Sequence, residues 1–249
     1  MGLIEKETFV CFDCETTGLD PQIDQIIEIA VVKFTFRGWI ENKQNLIDPG
    51  IPIPKETVEI HHITDEMVKG KPKIREVLSR YLEIIGDHIV VGHAISFDIA
   101  LLANAAKKYG LPTSIEKQRS IDTVRLARLY GQSPNNSLET LRLHFNIDGE
   151  GAHRAMNDVK TNIEVFRLLT KQFKTTEDIF KRLQKPILLS TMPLGKHKGR
   201  PFRELSTEYL TWAARQKFDK DLLFSVRTEL KKRKQGGLFH QMSNPFSGL

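Results

Sequence analysis

Asp13 and Glu15 stand one residue apart at the end of an apolar run, Phe9-Val10-Cys11-Phe12-Asp13-Cys14-Glu15. Side chains alternate along a strand, so Phe9, Cys11, Asp13 and Glu15 would share one face, with both carboxylates at its end. Acids held that close repel, and each raises the other's pKa unless a cation lies between them. Hard divalent cations such as Mg²⁺ take oxygen ligands of this kind. Alone, an Asp-x-Glu pair reads better as two solvated acids at a strand end. Three further positions change the balance. Asp98 falls in the first turn of an apolar helix, just after the short strand and turn His88–His93. His153 opens a later helix, and Asp158 follows it by about a turn and a half. Taken singly, Asp98 is an acid favoured by the helix dipole, His153 a cap and Asp158 a surface charge.

Taken together they form a pattern. Asp13-x-Glu15, His93-x3-Phe97-Asp98 and His153-x4-Asp158 resemble, in order and spacing, the three motifs of the DEDDh 3′→5′ exonucleases. That group includes the epsilon subunit of DNA polymerase III and exodeoxyribonuclease X. Thr16-Thr17-Gly18, Ile26-Ile27-Glu28-Ile29, Ile60-His61-His62-Ile63-Thr64 and Ile121-Asp122-Thr123 are similar to supporting segments of the same family. The resemblance covers roughly residues 7–171. Ala94 departs from it, because many members carry Asn after the motif His.

The resemblance implies a metal-dependent 3′→5′ exonuclease acting on DNA, on single-stranded or frayed ends, in repair or in replication proofreading. Asp13, Glu15, Asp98 and Asp158 would hold two Mg²⁺ or Mn²⁺ ions. Two such ions about 3.5–4 Å apart supply an activated water and neutralise charge on the leaving oxygen. Asp13 would bridge both, and Asp98 would act mostly through a metal-bound water. His153 would be the general base, since an imidazole titrates near neutral pH. Thr16, Thr17 and Gly18 would pass near the terminal nucleotide, and His62 and Ile63 would pack against its base or sugar. RNA is the rival substrate, and a non-catalytic nucleic-acid-binding subunit the rival class.

Positioning these groups requires an α/β scaffold. Asp24–Phe36 reads as an apolar strand and Trp39–Ile47 as a more polar one suited to a sheet edge. Ile74, Val77, Leu78, Tyr81, Leu82 and Ile85 recur at helical spacing and stop at Gly86. Further helices are expected near 96–109, 122–130, 137–144 and 154–171. A mixed sheet flanked by helices accounts for this, and the resemblance adds a ribonuclease-H-like fold. The expected division is a catalytic domain over 1–171, a linker over 172–189, a small basic α+β module over 190–233 and a flexible tail over 234–249.

Charge is divided unevenly along the chain. Residues 1–170 carry 20 Lys and Arg against 24 Asp and Glu, whereas residues 171–249 carry 17 against 7. An acidic half suits a metal site, and a basic half suits something that holds a polyanion. Gly195, Gly199 and Pro201 predict a tight turn displaying Lys196, Lys198 and Arg200 beside the aromatics of a following helix. This stretch is similar to the small C-terminal domain of exodeoxyribonuclease X-like proteins, and we expect it to touch nucleic acid. In the tail, Gln235, Leu238 and Phe239 resemble the short peptide by which bacterial replication enzymes bind the sliding clamp, so a clamp or a DNA polymerase is an expected partner. No run of about 18 apolar residues predicts a membrane span, and the charged first residues do not read as a signal peptide. Cys11 and Cys14 lie roughly 10 Å apart on opposite strand faces at ~3.3 Å per residue. They read as free thiols suited to a reducing cytoplasm.

Overall fold

The computed structural model describes residues 3–133, 135–149 and 153–242, with side chains described as far as Gln235. The chain divides into two compact units, Met1–Arg182 and Leu183–Leu249. The first is built on a five-stranded sheet in the order β3-β2-β1-β4-β5. Its strands are β1 (Phe9–Thr16), β2 (Ile26–Thr35), β3 (Gly38–Leu46), β4 (Ile89–Gly92) and β5 (Ser120–Asp122). β1, β2 and β3 are antiparallel neighbours, whereas β4 lies parallel to β1 and β5 parallel to β4.

Burial explains each strand's composition. β1 and β2 are central and covered on both faces, so they are almost continuously apolar. β3 is the edge and alternates exposed and half-buried positions. The Asp24–Phe36 and Trp39–Ile47 readings correspond to β2 and β3. β5 is only three residues long, and the spacing of its residues carries no periodic signal.

The helices of this unit are α1 (Lys55–His61), α2 (Asp65–Val68), α3 (Ile74–Ile85), α4 (Ser96–Lys108), α5 (Thr123–Tyr130), α6 (Leu138–His144), α7 (Ala155–Thr170) and α8 (Thr176–Gln184), the last running into the second unit. Val10, Phe12 and Cys14 point to one face of β1 and join Leu78, Tyr81 and Leu102 of α3 and α4 in a buried core. The opposite face packs on α7. Phe9 meets Phe166 at 5.0 Å between ring centroids, and Asn162 donates to the Cys11 sulfur at 3.5 Å. Asp13 and Glu15 continue that second face, so α7 delivers whatever it carries to their side of the sheet. Cys11 and Cys14 are both free and buried.

The second unit contains α9 (Thr207–Ala213) and α10 (Lys220–Met242). Met192, Phe202, Leu205, Leu210, Leu222 and Val226 form its own core. Its only extended pairing among the described residues is a single bridge, Thr191 to Pro201, so the α+β expectation reduces to helices and a bridged turn. Helix α10 also continues past residue 233, where the sequence reading ends the module and begins a flexible tail. No helix of the described residues is long and apolar enough to cross a membrane.

Candidate active site

The C-terminal end of β1 and the N-terminal turns of α4 and α7 meet at one place. Asp13, Glu15 and Asp158 each offer a carboxylate oxygen, and these atoms all lie within 4.8 Å of one another. Asp98, in the first turn of α4, is buried beside them, and its Oδ1 accepts from the Cys14 amide at 3.0 Å. Nearby Asp122 accepts the Ala94 and Val124 amides at 3.0 and 2.9 Å, which fixes the loop entering α4 and the start of α5.

The electrostatics are those of anions awaiting a counter-charge. Burial, then the charges of Asp98, Asp158 and Glu15, push Asp13 well above the usual carboxylate range. Burial and then Asp158 raise Glu15 to about 8. Asp98 is raised to about 7, chiefly by burial, against the opposing hydrogen bond from Cys14. Asp158 rises to about 6, again by burial. Three carboxyl groups whose oxygens lie within 4.8 Å, with Asp98 buried beside them but outside that distance, each disfavour their own ionisation and make a donor set of hard oxygens. Such a set fits a divalent cation.

His153 sits at the mouth of this cluster. Its backbone takes the left-handed conformation (φ 66°) and its amide donates to Asp158 Oδ2 at 3.0 Å. The side chain is exposed and near enough to Asp158 to favour that residue's charged form. Histidine tolerates the left-handed region better than most residues. The next two residues lock the corner. Arg154 grips Glu28 through Nε at 3.1 Å and Nη2 at 2.8 Å, and the Ala155 amide adds a third bond at 3.0 Å. Gln44 donates a fourth to Glu28 at 2.8 Å. Glu28 has no exposed side-chain surface. Burial alone would raise its pKa, but the Arg154 and Ala155 hydrogen bonds outweigh that and hold it low. Glu28 lies directly across from Glu15 in the β1–β2 register. The fork therefore ties the first turn of α7, and with it Asp158, to the strand opposite the acids. Glu28 and Arg154 escaped the sequence reading as site residues. The signal available was a charged residue inside the otherwise apolar Ile26–Val32 run.

The loop residues divide by role. Thr16 Oγ1 donates to the Gly18 carbonyl at 2.6 Å, and Thr17 Oγ1 to Asp24 at 2.9 Å. Both threonines are buried, so their hydroxyls fasten the 17–25 loop, in which Gly18 is half-buried. A Cβ on Gly18 would meet the Asp24 carboxylate at 2.5 Å. Ile63 is fully buried with Ile27, Ile53 and Val68, so its side chain has no free surface for the nucleotide contact expected of it. His62 is exposed in a left-handed conformation. His93 is a loop tie, with Nδ1 3.0 Å from Thr123 Oγ1 and Nε2 2.9 Å from the Asn136 carbonyl. Lys196, Lys198 and Arg200 are exposed on a turn closed by Met192 N–H to Arg200 and Gly199 N–H to Met192, at 2.9 and 2.8 Å. Gln235 is exposed on α10, whereas the side chains of Leu238 and Phe239 lie outside the described residues.

Comparison with known proteins agrees with this geometry. Residues 10–166 match the family described as "Exonuclease", and residues 181–238 match one described as "Putative quorum-sensing-regulated virulence factor". The chain is 40% identical over 177 residues to a PolC-type DNA polymerase III of Listeria innocua, and 34% over 174 residues to that of Clostridium perfringens. These alignments cover 71% and 70% of this chain but 12% of each polymerase. Among solved structures, exonuclease X in complex with 5′ overhanging duplex DNA is similar at TM-score 0.54 and 28% identity, over 69% of this chain and 98% of that one. E. coli exonuclease I in complex with a dT13 oligonucleotide shares the fold at TM-score 0.62 and 19% identity, over 72% of this chain and 44% of that one. On the family match over residues 10–166, which bear Asp13, Glu15, Asp98 and Asp158, the chain belongs to the exonuclease family.

Proposed function

We propose that the protein is a 3′→5′ exonuclease that removes nucleotides from DNA ends, with Asp13, Glu15, Asp98 and Asp158 holding two Mg²⁺ or Mn²⁺ ions. The observation that carries this reading is the convergence of Asp13, Glu15 and Asp158 oxygens within 4.8 Å. When bound, a pair of hard cations lowers the pKa of a water and neutralises the charge that develops on the phosphate.

The chain's own residues account for the remaining work. Asp13, Glu15 and Asp158 would hold the ions directly, while Asp98, engaged by the Cys14 amide, would support them from beside the cluster. His153, exposed at the cluster's edge, accepts the proton of the attacking water as the new oxygen–phosphorus bond forms. The bond from phosphorus to the neighbouring sugar's 3′-oxygen breaks, and that oxygen leaves with a proton from solvent. A 5′-mononucleotide is released. The Glu28–Arg154 fork holds Asp158 and the His153 backbone during each turnover. The loop of Thr16, Thr17 and Gly18 and the exposed His62 would line the approach for the terminal nucleotide. In the second unit, Lys196, Lys198 and Arg200 supply phosphate contacts, consistent with its excess of positive charge. DNA is favoured as substrate because exonuclease X was solved with duplex DNA and the curated relatives named above are DNA polymerases. The tail residues Gln235, Leu238 and Phe239 are proposed to dock on a sliding clamp.

The test is a digestion panel of end-labelled single-stranded DNA, duplex DNA and RNA, with and without EDTA. Metal-dependent mononucleotide release that proceeds from the 3′ end of DNA supports the reading. Release from the 5′ end, or activity that survives EDTA, would overturn it.

A further inference from the structure

The second unit carries an aromatic row that its core does not require. His197 and Tyr209 stand 4.4 Å apart between ring centroids, Tyr209 and Trp212 5.4 Å, and Trp212 and Phe218 6.2 Å. The row runs from the basic turn, along one side of α9, to the segment that precedes α10. Tyr209 and Phe218 are half-buried against the core of the unit and so are held in place. Trp212 is different. Its ring contacts are with Tyr209 and Phe218, and half of its surface, 50%, is open to solvent. A side chain with so large an apolar face rarely stands out of the core without a partner to cover it. The segment that carries the row is cationic: residues 195–217 contain Lys196, Lys198, Arg200, Arg203, Arg215 and Lys217 against only Glu204 and Glu208. Every one of these six cations belongs to an exposed residue.

An open indole within an aromatic row, in a cationic segment, matches the chemistry of one ligand class. Single-stranded nucleic acid presents a face of unpaired bases and an edge of phosphates, and proteins hold it by stacking bases on aromatic rings within a basic groove. We infer that Trp212, steadied by Tyr209 and Phe218, is a stacking platform for the bases of a single strand whose phosphates lie on Lys196, Lys198 and Arg200. The site deepens the nucleic-acid reading proposed above, and it does so without drawing on the carboxylate cluster. A duplex keeps its bases stacked on each other and so cannot offer them to Trp212. An acidic protein surface would meet the cations but leave the indole uncovered.

The experiment uses the full chain in EDTA, where binding is read without cleavage. Trp39 is replaced by Phe so that Trp212 is the sole tryptophan. The probes are a thymidine oligomer of about 12 nucleotides, within the usual single-strand site size, an abasic oligomer of equal length, the corresponding RNA, and a blunt duplex. Stacking predicts quenched tryptophan emission with the thymidine oligomer and none with the abasic one. Read by fluorescence anisotropy of end-labelled oligomers, Trp212→Ala should weaken binding of the thymidine oligomer by about tenfold, the scale of one stacked base, and leave the abasic oligomer unchanged. Trp212→Phe should restore most of the loss, and circular dichroism should report an unaltered fold in both. The DNA and RNA arms tell which strand is preferred, and quenching by either supports the platform. Equal affinity for thymidine and abasic oligomers, no quenching by either strand, or equal binding of the duplex would overturn it. Such a failure would leave metal-dependent cleavage in the digestion panel untouched, and loss of cleavage would leave the quenching untouched.

Discussion

Arg154→Met is the most informative single perturbation of the scaffold. Four hydrogen bonds converge on the buried Glu28 carboxylate, and Arg154 provides two of them, at 2.8 and 3.1 Å. A hydrogen bond to a charged group contributes about 1.5–3 kcal/mol. The Arg154 side chain is 39% exposed, so water screens part of that and the pair together should contribute about 2 kcal/mol. The Ala155 and Gln44 bonds survive the substitution and keep Glu28 from being stranded, which is why the figure stays below the 3–5 kcal/mol of a fully abandoned buried charge. With a urea dependence of about 1–3 kcal/mol per molar, the unfolding midpoint should fall by roughly 1 M. Asp158 follows Arg154 by four residues, and its amide bonds the Arg154 carbonyl at 3.0 Å, so loosening the fork displaces a proposed metal ligand. Turnover should drop by about tenfold, with a higher metal concentration needed for half-maximal rate; a 1 Å misplacement is enough for losses of that order or more. A double-mutant cycle with Glu28→Gln isolates the pair. Coupling of about 1–2 kcal/mol is expected. Additive single variants that leave metal dependence unchanged would refute the role assigned to the fork.

Other expectations follow from the same geometry. His153→Ala should cut turnover by about 10²–10⁴-fold while metal binding, read by calorimetry, changes little, because the imidazole is assigned only a proton-accepting role. The metal-free protein should lose stability as pH rises from the usual carboxylate range through about 8. Glu15, Asp98 and Asp158 have folded pKa values above their unfolded ones, so the native state binds more protons than the unfolded state in that window. Added Mg²⁺ should reverse the trend, so its thermal-shift effect should be larger at pH 8 than at pH 5.5. Glu28 works with the opposite sign, since its folded pKa is lowered; its contribution is lost as the medium becomes acid, and Glu28→Gln should flatten the acid side of the stability profile. Ala94 holds φ at 59° at the turn before α4. Ala94→Gly, which removes the left-handed strain of about 1 kcal/mol, should raise the thermal midpoint by a few degrees.

Much of this arrangement was legible in the sequence because it rests on local periodicity. The alternation in Phe9–Glu15 places two acids on one face, and that face is the one that meets α7. The apolar spacing of Ile74–Ile85 returns as α3 with its expected limits. What stayed hidden depends on tertiary contact. α1 and α2 are seven and four residues long, too short for a helical period to register. The burial of Ile63 comes from packing against Ile27, Ile53 and Val68, residues from elsewhere along the chain, so a motif position that looks substrate-facing is enclosed instead. The Glu28–Arg154 fork spans residues 28 to 154, and no window of sequence contains both ends. The aromatic row is half legible: Tyr209 and Trp212 are three apart on one helix, but His197 and Phe218 join them only through the fold.

Titration of the protein with Mn²⁺, followed by calorimetry and by proton release near pH 7, tests the carboxylate cluster most directly. Two saturable ions and a net release of protons are predicted, since Glu15 and Asp98 hold protons near that pH without a cation, and Asp13→Asn should abolish tight binding. Absence of saturable binding, or equal binding by the Asp13→Asn protein, would contradict the account.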